Sequence, residues 1–229
     1  MENKELTILL PVLNEEKTIG ICIEKAKKFI NKYKINAEIL ISDNDSTDNS
    51  CKIAKDMNVN IINVKEKGYG NALIQGIKQA KGTYIIMADA DDSYDLEHLE
   101  QFLEKLRQGY DLVMGNRFKG KIEKGAMPFL HKIGIPVLSF IGRIVCKSKV
   151  GDFHCGIRGF KRQAILDLNL ECSGMEFASE MIVKAEKEGL NIVEIPTTLK
   201  KDGRGKKSHL KTFSDGWRHL KFLIKSITI

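Results

Sequence analysis

Two aspartates separated by one alanine, Asp89-Ala90-Asp91, have the types and spacing best suited to chemistry in this chain. They follow the apolar run 83–88, which predicts a buried strand, so both carboxylates come at its carboxyl end. Open α/β sheets bind their ligands at that edge. Mg²⁺ and Mn²⁺ prefer oxygen ligands and take one or two carboxylates while substrate phosphates and waters complete the shell. The pair therefore suggests a divalent cation that holds a diphosphate.

An acidic turn between a strand and a helix is also ordinary capping chemistry. Asp92, Ser93 and Asp95 follow the pair directly and are residue types that cap a helix N-terminus. Taken alone, these residues favour the capping interpretation. The choice depends on what the other strands bring to the same edge.

The first half of the chain alternates strand-like and helix-like segments. Apolar runs predict strands over 6–13, 38–42, 59–64, 83–88 and 111–114, and helical periodicity predicts helices over 16–33, 47–57, 71–80 and 96–107. This order indicates an α/β fold with a mostly parallel central sheet and helices on both faces. Further on, 151–160 predicts a strand, and 175–188 and 212–226 predict helices. No linker interrupts the pattern, so we expect a single domain over 1–229.

Polar motifs follow each of the first four predicted strands. They are Pro11-Val12-Leu13-Asn14-Glu15, Asp43-Asn44-Asp45-Ser46-Thr47-Asp48, Glu66-Lys67-Gly68-Tyr69-Gly70 and the Asp89/Asp91 pair. Each motif alone fits turn chemistry, but four at one edge favour a ligand site. Asp43 is suited to accept a proton from a base or a ribose, and Gly68 and Gly70 allow close approach of the backbone to a ligand.

The positive charge of the chain is concentrated in two windows. The formal net charge is +7, yet residues 117–149 hold eight Lys and Arg against one Glu, and 200–211 hold six against one Asp. Such clustering indicates an anionic partner, either a phosphorylated substrate or an acidic membrane surface. A solvated lysine-rich face is the simpler interpretation for the individual lysines, and nothing points to nucleic acid.

The apolar segment 133–146 is shorter than the roughly 20 residues that a membrane span needs and contains Pro136 and Arg143. It fits an amphipathic surface helix, with core packing as the alternative. Five cysteines form no C-x-x-C pair, which favours a reducing compartment. A Rossmann dehydrogenase is disfavoured, because Leu73 stands where a dinucleotide-binding loop needs its third glycine.

Together the motifs resemble those of glycosyltransferase family 2, whose members have the GT-A fold. The motifs at the strand ends carry this resemblance, with Gly115-Asn116-Arg117-Phe118 after the fifth strand. Within this family, the chain most resembles the dolichyl- and undecaprenyl-phosphate sugar synthases. Three segments carry this closer resemblance: 151–160, 175–180 and 202–204. The similarity extends from Leu6 to about Leu223.

The resemblance implies a nucleotide-diphospho-sugar donor, Mg²⁺ or Mn²⁺, and a polyprenyl phosphate acceptor, with inversion at the anomeric carbon. UDP-glucose is the leading donor, with GDP-mannose and UDP-N-acetylglucosamine as alternatives. The resemblance also implies an enzyme at the cytoplasmic face of the membrane, which acts in cell-wall or glycan biosynthesis. Residues 1–115 would form the nucleotide-binding half, 116–211 the acceptor and metal side, and 212–229 a C-terminal helix near the membrane.

The resemblance also implies functional roles for individual residues of this chain. The expected nucleotide-sugar-binding residues are Pro11, Val12, Leu13, Asn14, Glu15, Asp43, Gly70, Asp89, Ala90 and Asp91. Asp89 and Asp91 would hold the metal, and Asp91, Arg117 and Arg204 would act in catalysis. Asp152 is a further catalytic candidate, which the reaction itself suggests. Ser93 stands where relatives place a metal-binding glutamine, which leaves the third protein ligand open.

The acceptor decides whether a base is needed. A phosphate monoester, with a second pKa of about 6, is largely ionised at neutral pH and needs none. A glycan hydroxyl is the alternative acceptor, and Asp152 would then be the base unless it caps the turn at Gly156 instead. A non-catalytic nucleotide-sugar-binding module is the third hypothesis.

Overall fold

One mixed sheet organises the chain in this computed structural model, which describes residues 4–205 and 212–226. Within these residues seven strands are present: β1 (Lys4–Val12), β2 (Ala37–Asp43), β3 (Asn60–Asn63), β4 (Gly82–Met87), β5 (Leu112–Asn116), β6 (Arg158–Lys161) and β7 (Ile192–Pro196). Their order is β3-β2-β1-β4-β6-β5-β7, and β6 alone among them runs antiparallel to its neighbours.

Helices cover both faces of this sheet. They are α1 (Ile19–Tyr33), α2 (Ser50–Asp56), α3 (Tyr69–Gln79), α4 (Glu100–Arg107), α5 (Phe129–Cys146), α6 (Arg162–Asp167), α7 (Phe177–Lys187) and α8 (Thr212–Lys225). One apolar core joins α1 and α4 to one face, and a second joins α3, α6 and α7 to the other. The α/β fold with helices on both faces is therefore confirmed.

The insertion of β6 decides which loops meet. Parallel β1, β2 and β4 end at one edge, and antiparallel β6 enters the sheet from that same edge, so the loop before Arg158 joins the loops after Val12, Asp43 and Met87. The strand predicted over 151–160 is wrong for 151–157. Backbone N–H groups of Gly151 and Asp152 donate to a side-chain carboxylate there instead of to a strand.

Several boundaries differ from those predicted. Helix α4 begins at Glu100, so Asp92, Ser93 and Asp95 do not cap it, and the capping interpretation of that turn is wrong. Strand β7 and helix α6 were not predicted. Both are short, and β7 has only one buried residue, Ile195, so its apolar signal is weak.

Helix α5 begins earlier than the predicted apolar segment and is exposed. It spans 18 residues with a mean hydropathy of 1.5, which is long and apolar enough to cross a membrane by length and composition alone; the expectation that it is too short is corrected. Ser139 and Gly142 are its buried residues, so the core-packing alternative is wrong. Its exposed apolar residues are Phe129, Leu130, Ile133, Val137, Phe140 and Ile144.

The two glycines at the start of α3 approach protein backbone. A Cβ on Gly70 would lie 2.0 Å from the carbonyl oxygen of Cys172, and one on Gly68, whose φ is +138°, would lie 2.2 Å from that of Ser173. Glu180 holds this opposing segment, because its carboxylate accepts hydrogen bonds from the backbone N–H groups of residues 171 and 172. These glycines therefore let α3 dock on the 171–173 segment.

This contact predicts the effect of a single methyl group. Gly70→Ala should lower the free energy of unfolding by about 2 kcal/mol, because overpacking against rigid backbone forces a shift. Thermal unfolding would show a melting temperature lower by about 4–8 °C for a chain of this size. Gly134→Ala on α5 is the matched control, since its Cβ meets nothing within 4 Å and alanine favours helix. Equal melting temperatures for the two variants would contradict the packing argument.

Candidate active site

A cavity of about 670 Å³ opens at the edge where the loops converge. Predicted site residues that line it are Pro11, Val12, Leu13, Glu15, Asp89, Ala90, Asp91, Arg117 and Arg204. The cavity extends from the ends of β1 and β4 to the beginnings of α5 and α8. The structure thus brings the acidic strand ends and two predicted arginines into one site.

Asn14, Asp43, Gly70 and Asp152 are absent from the cavity lining. Asn14 joins two loops, since its Oδ1 accepts hydrogen bonds from the backbone N–H groups of Thr47 (2.8 Å) and Asp48 (3.3 Å). Asp43 accepts from the backbone of residue 46 through Oδ2, while its Oδ1 is buried with no hydrogen-bond partner among the described residues. A buried carboxylate oxygen without a partner is suited to accept a proton from a ligand.

Asp89 is fixed by a tyrosine that sequence analysis did not single out. The hydroxyl of Tyr69 donates to Asp89 Oδ1 at 2.9 Å. The other oxygen lies against Gly156, where a Cβ would be 2.2 Å from Oδ2. Burial, and then the neighbouring charge of Asp91, raises the pKa of Asp89 to about 6, against the Tyr69 hydrogen bond, which lowers it. Tyr69 stands within the predicted Gly68-Tyr69-Gly70 motif, but its target depends on how α3 packs.

Asp91 divides its two oxygens between a neighbour and a distant arginine. Its Oδ1 accepts hydrogen bonds from the backbone N–H (3.0 Å) and the hydroxyl of Ser93. Its Oδ2 pairs with the guanidinium of Arg204. Ser93 is therefore engaged with Asp91 itself.

Arg204 places a positive charge at the acidic edge. Its Nη1 lies 3.1 Å from Glu15 Oε1, while Nη2 binds Asp91. The backbone N–H of Gly203 donates to the carbonyl of Asp91 at 2.9 Å and holds the segment in place. Burial raises the pKa of Glu15 to about 7, against the attraction of Arg204, and Asp91 raises it further.

Arg117 and Asp152 form a buried ion pair on the other side of the cavity. Asp152, fully buried, accepts from Arg117 Nε and Nη2 at 2.8 Å each and from the backbone N–H at 3.1 Å. Its Oδ1 also accepts from the backbone of His154 at 3.3 Å. Gly156 N–H donates instead to the hydroxyl of Tyr94, so Asp152 does not cap that turn as the alternative role supposed. This geometry favours a positioning role for Asp152 over that of a base.

The far wall of the cavity was missed by sequence analysis. His131 of α5, Met175, and Ser214, Asp215 and Arg218 of α8 line it. Arg218 also pairs with Glu176 at 2.6 Å. Met175 belongs to the segment 175–180 that contributes to the family resemblance. No local pattern assigned any of these residues to the site, because they reach it only after the helices have packed.

Comparison with known proteins identifies the family. The family model described as "Glycosyl transferase family 2" matches residues 7–168. The chain belongs to glycosyltransferase family 2. The Haloferax volcanii "Low-salt glycan biosynthesis hexosyltransferase Agl6" is 38% identical over 221 residues, covering 96% of this chain and 53% of the relative. The chain thus spans about half the length of that relative.

Two further comparisons concern a second relative and a solved structure. The H. volcanii "Dolichyl-phosphate hexose transferase" is 27% identical over 224 residues, covering 96% of this chain and 93% of the relative. Glucosyl-3-phosphoglycerate synthase from Mycobacterium tuberculosis, solved with Mn²⁺ and UDP, superposes with a TM-score of 0.77 at 16% identity, covering 99% of this chain and 81% of that one. The chain is thus a member of glycosyltransferase family 2 with the GT-A fold.

The raised pKa of Glu15 predicts how stability of this glycosyltransferase depends on pH. Between its ordinary pKa of 4.5 and about 7, the folded state holds more protons than the unfolded state, so this residue lowers stability as pH rises through that window. Glu15→Gln removes the titrating group. Its melting temperature in EDTA should therefore rise relative to wild type between pH 5 and pH 8.

The control for this comparison is Glu24→Gln, which alters an exposed glutamate of α1. A difference in melting temperature between Glu15→Gln and wild type that is the same at both pH values would contradict the assignment.

Proposed function

We propose that this glycosyltransferase transfers a hexose from a nucleotide-diphospho-sugar to a polyprenyl phosphate, with inversion, at the cytoplasmic face of a membrane. The observation that carries the proposal is the position of the cavity. It joins the acidic strand ends, suited to a donor, to Arg117 and to the beginnings of the helices α5 and α8. The family relationship supplies the reaction type, and the exposed apolar surface of α5 supports the lipid.

The donor would lie along the ends of β1, β2 and β4. Pro11, Val12 and Leu13 form a cavity wall there. Asp43 Oδ1, which has no hydrogen-bond partner within 4–205 and 212–226, lies at the end of the neighbouring strand. The M. tuberculosis synthase of the same fold was also solved with Mn²⁺ and UDP-glucose, which supports a donor of this class. UDP-glucose remains the leading candidate, with GDP-mannose and UDP-N-acetylglucosamine as alternatives.

Asp89 and Asp91 would hold Mg²⁺ or Mn²⁺. Two observations support this. The Arg204 guanidinium is a cation already bound to Asp91, and both side chains offer only the oxygen donors that these metals prefer. Residues 4–205 and 212–226 contain no group of three His, Cys, Asp or Glu side chains placed to hold a metal, so the remaining ligands would come from substrate and water. When bound, the metal would neutralise charge on the diphosphate.

On the acceptor side, Arg117 would bind the lipid phosphate, and it would also face the diphosphate of the donor. A phosphate oxygen attacks the anomeric carbon as the bond from that carbon to the diphosphate breaks, and the nucleoside diphosphate leaves. Because the acceptor is already ionised at neutral pH, no base is required. This agrees with an Asp152 carboxylate that is occupied by Arg117. Arg117 and Arg204 would stabilise charge as it moves to the leaving group.

Helices α5 and α8 would bring the cavity mouth to the membrane. Phe129 is 74% and Ile144 65% exposed on α5, and Trp217 is 65% exposed on α8, so apolar side chains of both helices meet solvent. Contiguous exposed apolar surface marks membrane or protein contact. Arg143 and Lys147 add positive charge near the end of α5, which suits an anionic headgroup region. Free cysteines among the described residues agree with the cytoplasmic face.

Transfer should depend on Asp91. With Mn²⁺, labelled UDP-glucose or GDP-mannose and detergent-solubilised polyprenyl phosphate, wild type should form a glycolipid, and EDTA should abolish it. Asp91→Asn should lower the rate by about 10²-fold or more without loss of fold, because charge stabilisation of the leaving group is lost. Mass spectrometry of the lipid product measures this.

The adjacent Asp92→Asn is the matched control, because Asp92 pairs with Lys25 at 2.5 Å and is absent from the cavity lining. Label that appears on a sugar alcohol or glycan but never on the lipid would refute the polyprenyl phosphate and favour a hydroxyl acceptor.

Membrane contact should depend on the exposed face of α5. Phe140 and Ile144 are 55% and 65% exposed, so the double substitution Phe140→Asp, Ile144→Asp should leave the melting temperature unchanged while reducing co-flotation with anionic phospholipid vesicles by about tenfold or more. Ile21→Asp, on a 44%-exposed residue of α1, is the matched control and should float as wild type does. Equal flotation of all three proteins would contradict membrane docking through α5.

A further inference from the structure

We propose that Glu194, which lies outside the cavity lining, is a positioning residue that fixes Arg117 in the active site. The inference rests on the proposed function, in which Arg117 binds a phosphate group. Glu194 is on β7, a strand that was not predicted from the sequence, and it belongs to none of the motifs that indicated chemistry. Its carboxylate is nevertheless connected to the Arg117 guanidinium through an unbroken series of hydrogen bonds.

The first link joins Glu194 to the loop before β6. Glu194 Oε1 accepts hydrogen bonds from the backbone N–H of Gly151 at 2.7 Å, from that of Asp152 at 3.0 Å and from Asn116 Nδ2 at 2.9 Å. The Glu194 side chain is only 6% exposed. Three donors on one buried carboxylate oxygen make strong, charge-assisted hydrogen bonds that hold this loop in one conformation.

The second link joins that loop to the cavity. The backbone that Glu194 holds is that of Asp152, whose side chain binds Arg117 through Nε and Nη2. Nη1 of Arg117 is the guanidinium nitrogen that this pair does not use, and Arg117 lines the cavity. A shift of the Asp152 backbone would therefore move the guanidinium relative to a bound phosphate.

Close packing makes this connection rigid. A Cβ on Gly151 would lie 2.9 Å from Asn116 Nδ2 and 3.5 Å from each carboxylate oxygen of Glu194, so the loop backbone rests directly on these side chains. Strands β5 and β7 are paired in parallel, with Met114 opposite Glu194 and Asn116 opposite Pro196. The sheet thus carries both Glu194 and the residue that precedes Arg117.

The ion pair with Lys119 does not account for the hydrogen bonds that Glu194 accepts from the loop. Lys119 Nζ binds the other oxygen, Oε2, at 2.8 Å, and the lysine side chain is 59% exposed. Exposed ion pairs contribute little to stability. The oxygen that faces the loop, Oε1, is separate from this pair, so the two roles of Glu194 can be tested independently.

The experiment compares variants of the full chain by their affinity for inorganic pyrophosphate, measured by isothermal titration calorimetry. Glu194→Ala should weaken binding about tenfold, as expected for the loss of one well-positioned charged contact. Glu194→Gln keeps an acceptor for the loop, and Lys119→Met removes only the exposed ion pair, so both should bind within about twofold of wild type. In an Arg117→Ala background, Glu194→Ala should have no further effect.

Several outcomes would overturn the proposal. They are wild-type affinity in folded Glu194→Ala, a Glu194→Gln variant that is as weak as Glu194→Ala, a persistent effect without Arg117, or no pyrophosphate binding by wild type. If Glu194→Ala does not fold, the Glu194→Asp variant provides the test. Aspartate keeps the negative charge, but its side chain is one methylene shorter, so its carboxylate lies farther from the loop. Weakened binding then supports the proposal, and wild-type affinity overturns it.

This readout is independent of the acceptor. If wild type transfers hexose to no polyprenyl phosphate yet the Glu194 series behaves as expected, the proposed function fails and the positioning role stands. If transfer to lipid occurs while the series shows no difference, only the positioning role fails.

Discussion

Repulsion among buried carboxylates is the constraint on which the rest of the site depends. Glu15, Asp89 and Asp91 meet at the ends of β1 and β4, and burial with mutual repulsion raises the pKa of Glu15 and Asp89. Such a cluster is stable only with positive charge close by. Arg204 supplies it in the free chain, and a divalent cation with a nucleotide-sugar would supply it during catalysis. Under the proposed function, the acidic edge would thus favour a ligand that brings its own cation.

On the opposite side of the cavity, a buried carboxylate balances the positive charge of an arginine. Arg117 is satisfied by Asp152 through two hydrogen bonds, so its charge is compensated without being removed from the cavity. Antiparallel β6 makes this possible, because it brings the loop containing Asp152 to the edge where the parallel strands end. Under the proposed function, one sheet would therefore present carboxylates to the donor and a positioned guanidinium to the acceptor.

Sequence alone predicted the alternation of strands and helices in the first half of the chain and the helices on both faces of the sheet. It also predicted most of the motifs that line the cavity. These features follow from short-range periodicity and from polar residues at strand ends, which are local properties. It did not predict the true start of α4, and so misassigned the turn after Asp91, since Asp92 and Ser93 look like caps wherever the helix begins. The partner of Asp152 and the target of Tyr69 were also beyond local patterns. Both depend on contacts between residues at least 20 positions apart. Exposure of α5 could not be read from composition, which is the same for a core helix.

Helix α8 has a consequence for how the protein is made. It supplies Ser214, Asp215 and Arg218 to the cavity wall, and it is the last described element in the chain. Its His219 is buried against His154 and Ser179, which come from the loop before β6 and from α7. During translation, the strands that carry the acidic edge leave the ribosome long before this wall exists. A nascent chain therefore has an open half-site until α8 has emerged and docked.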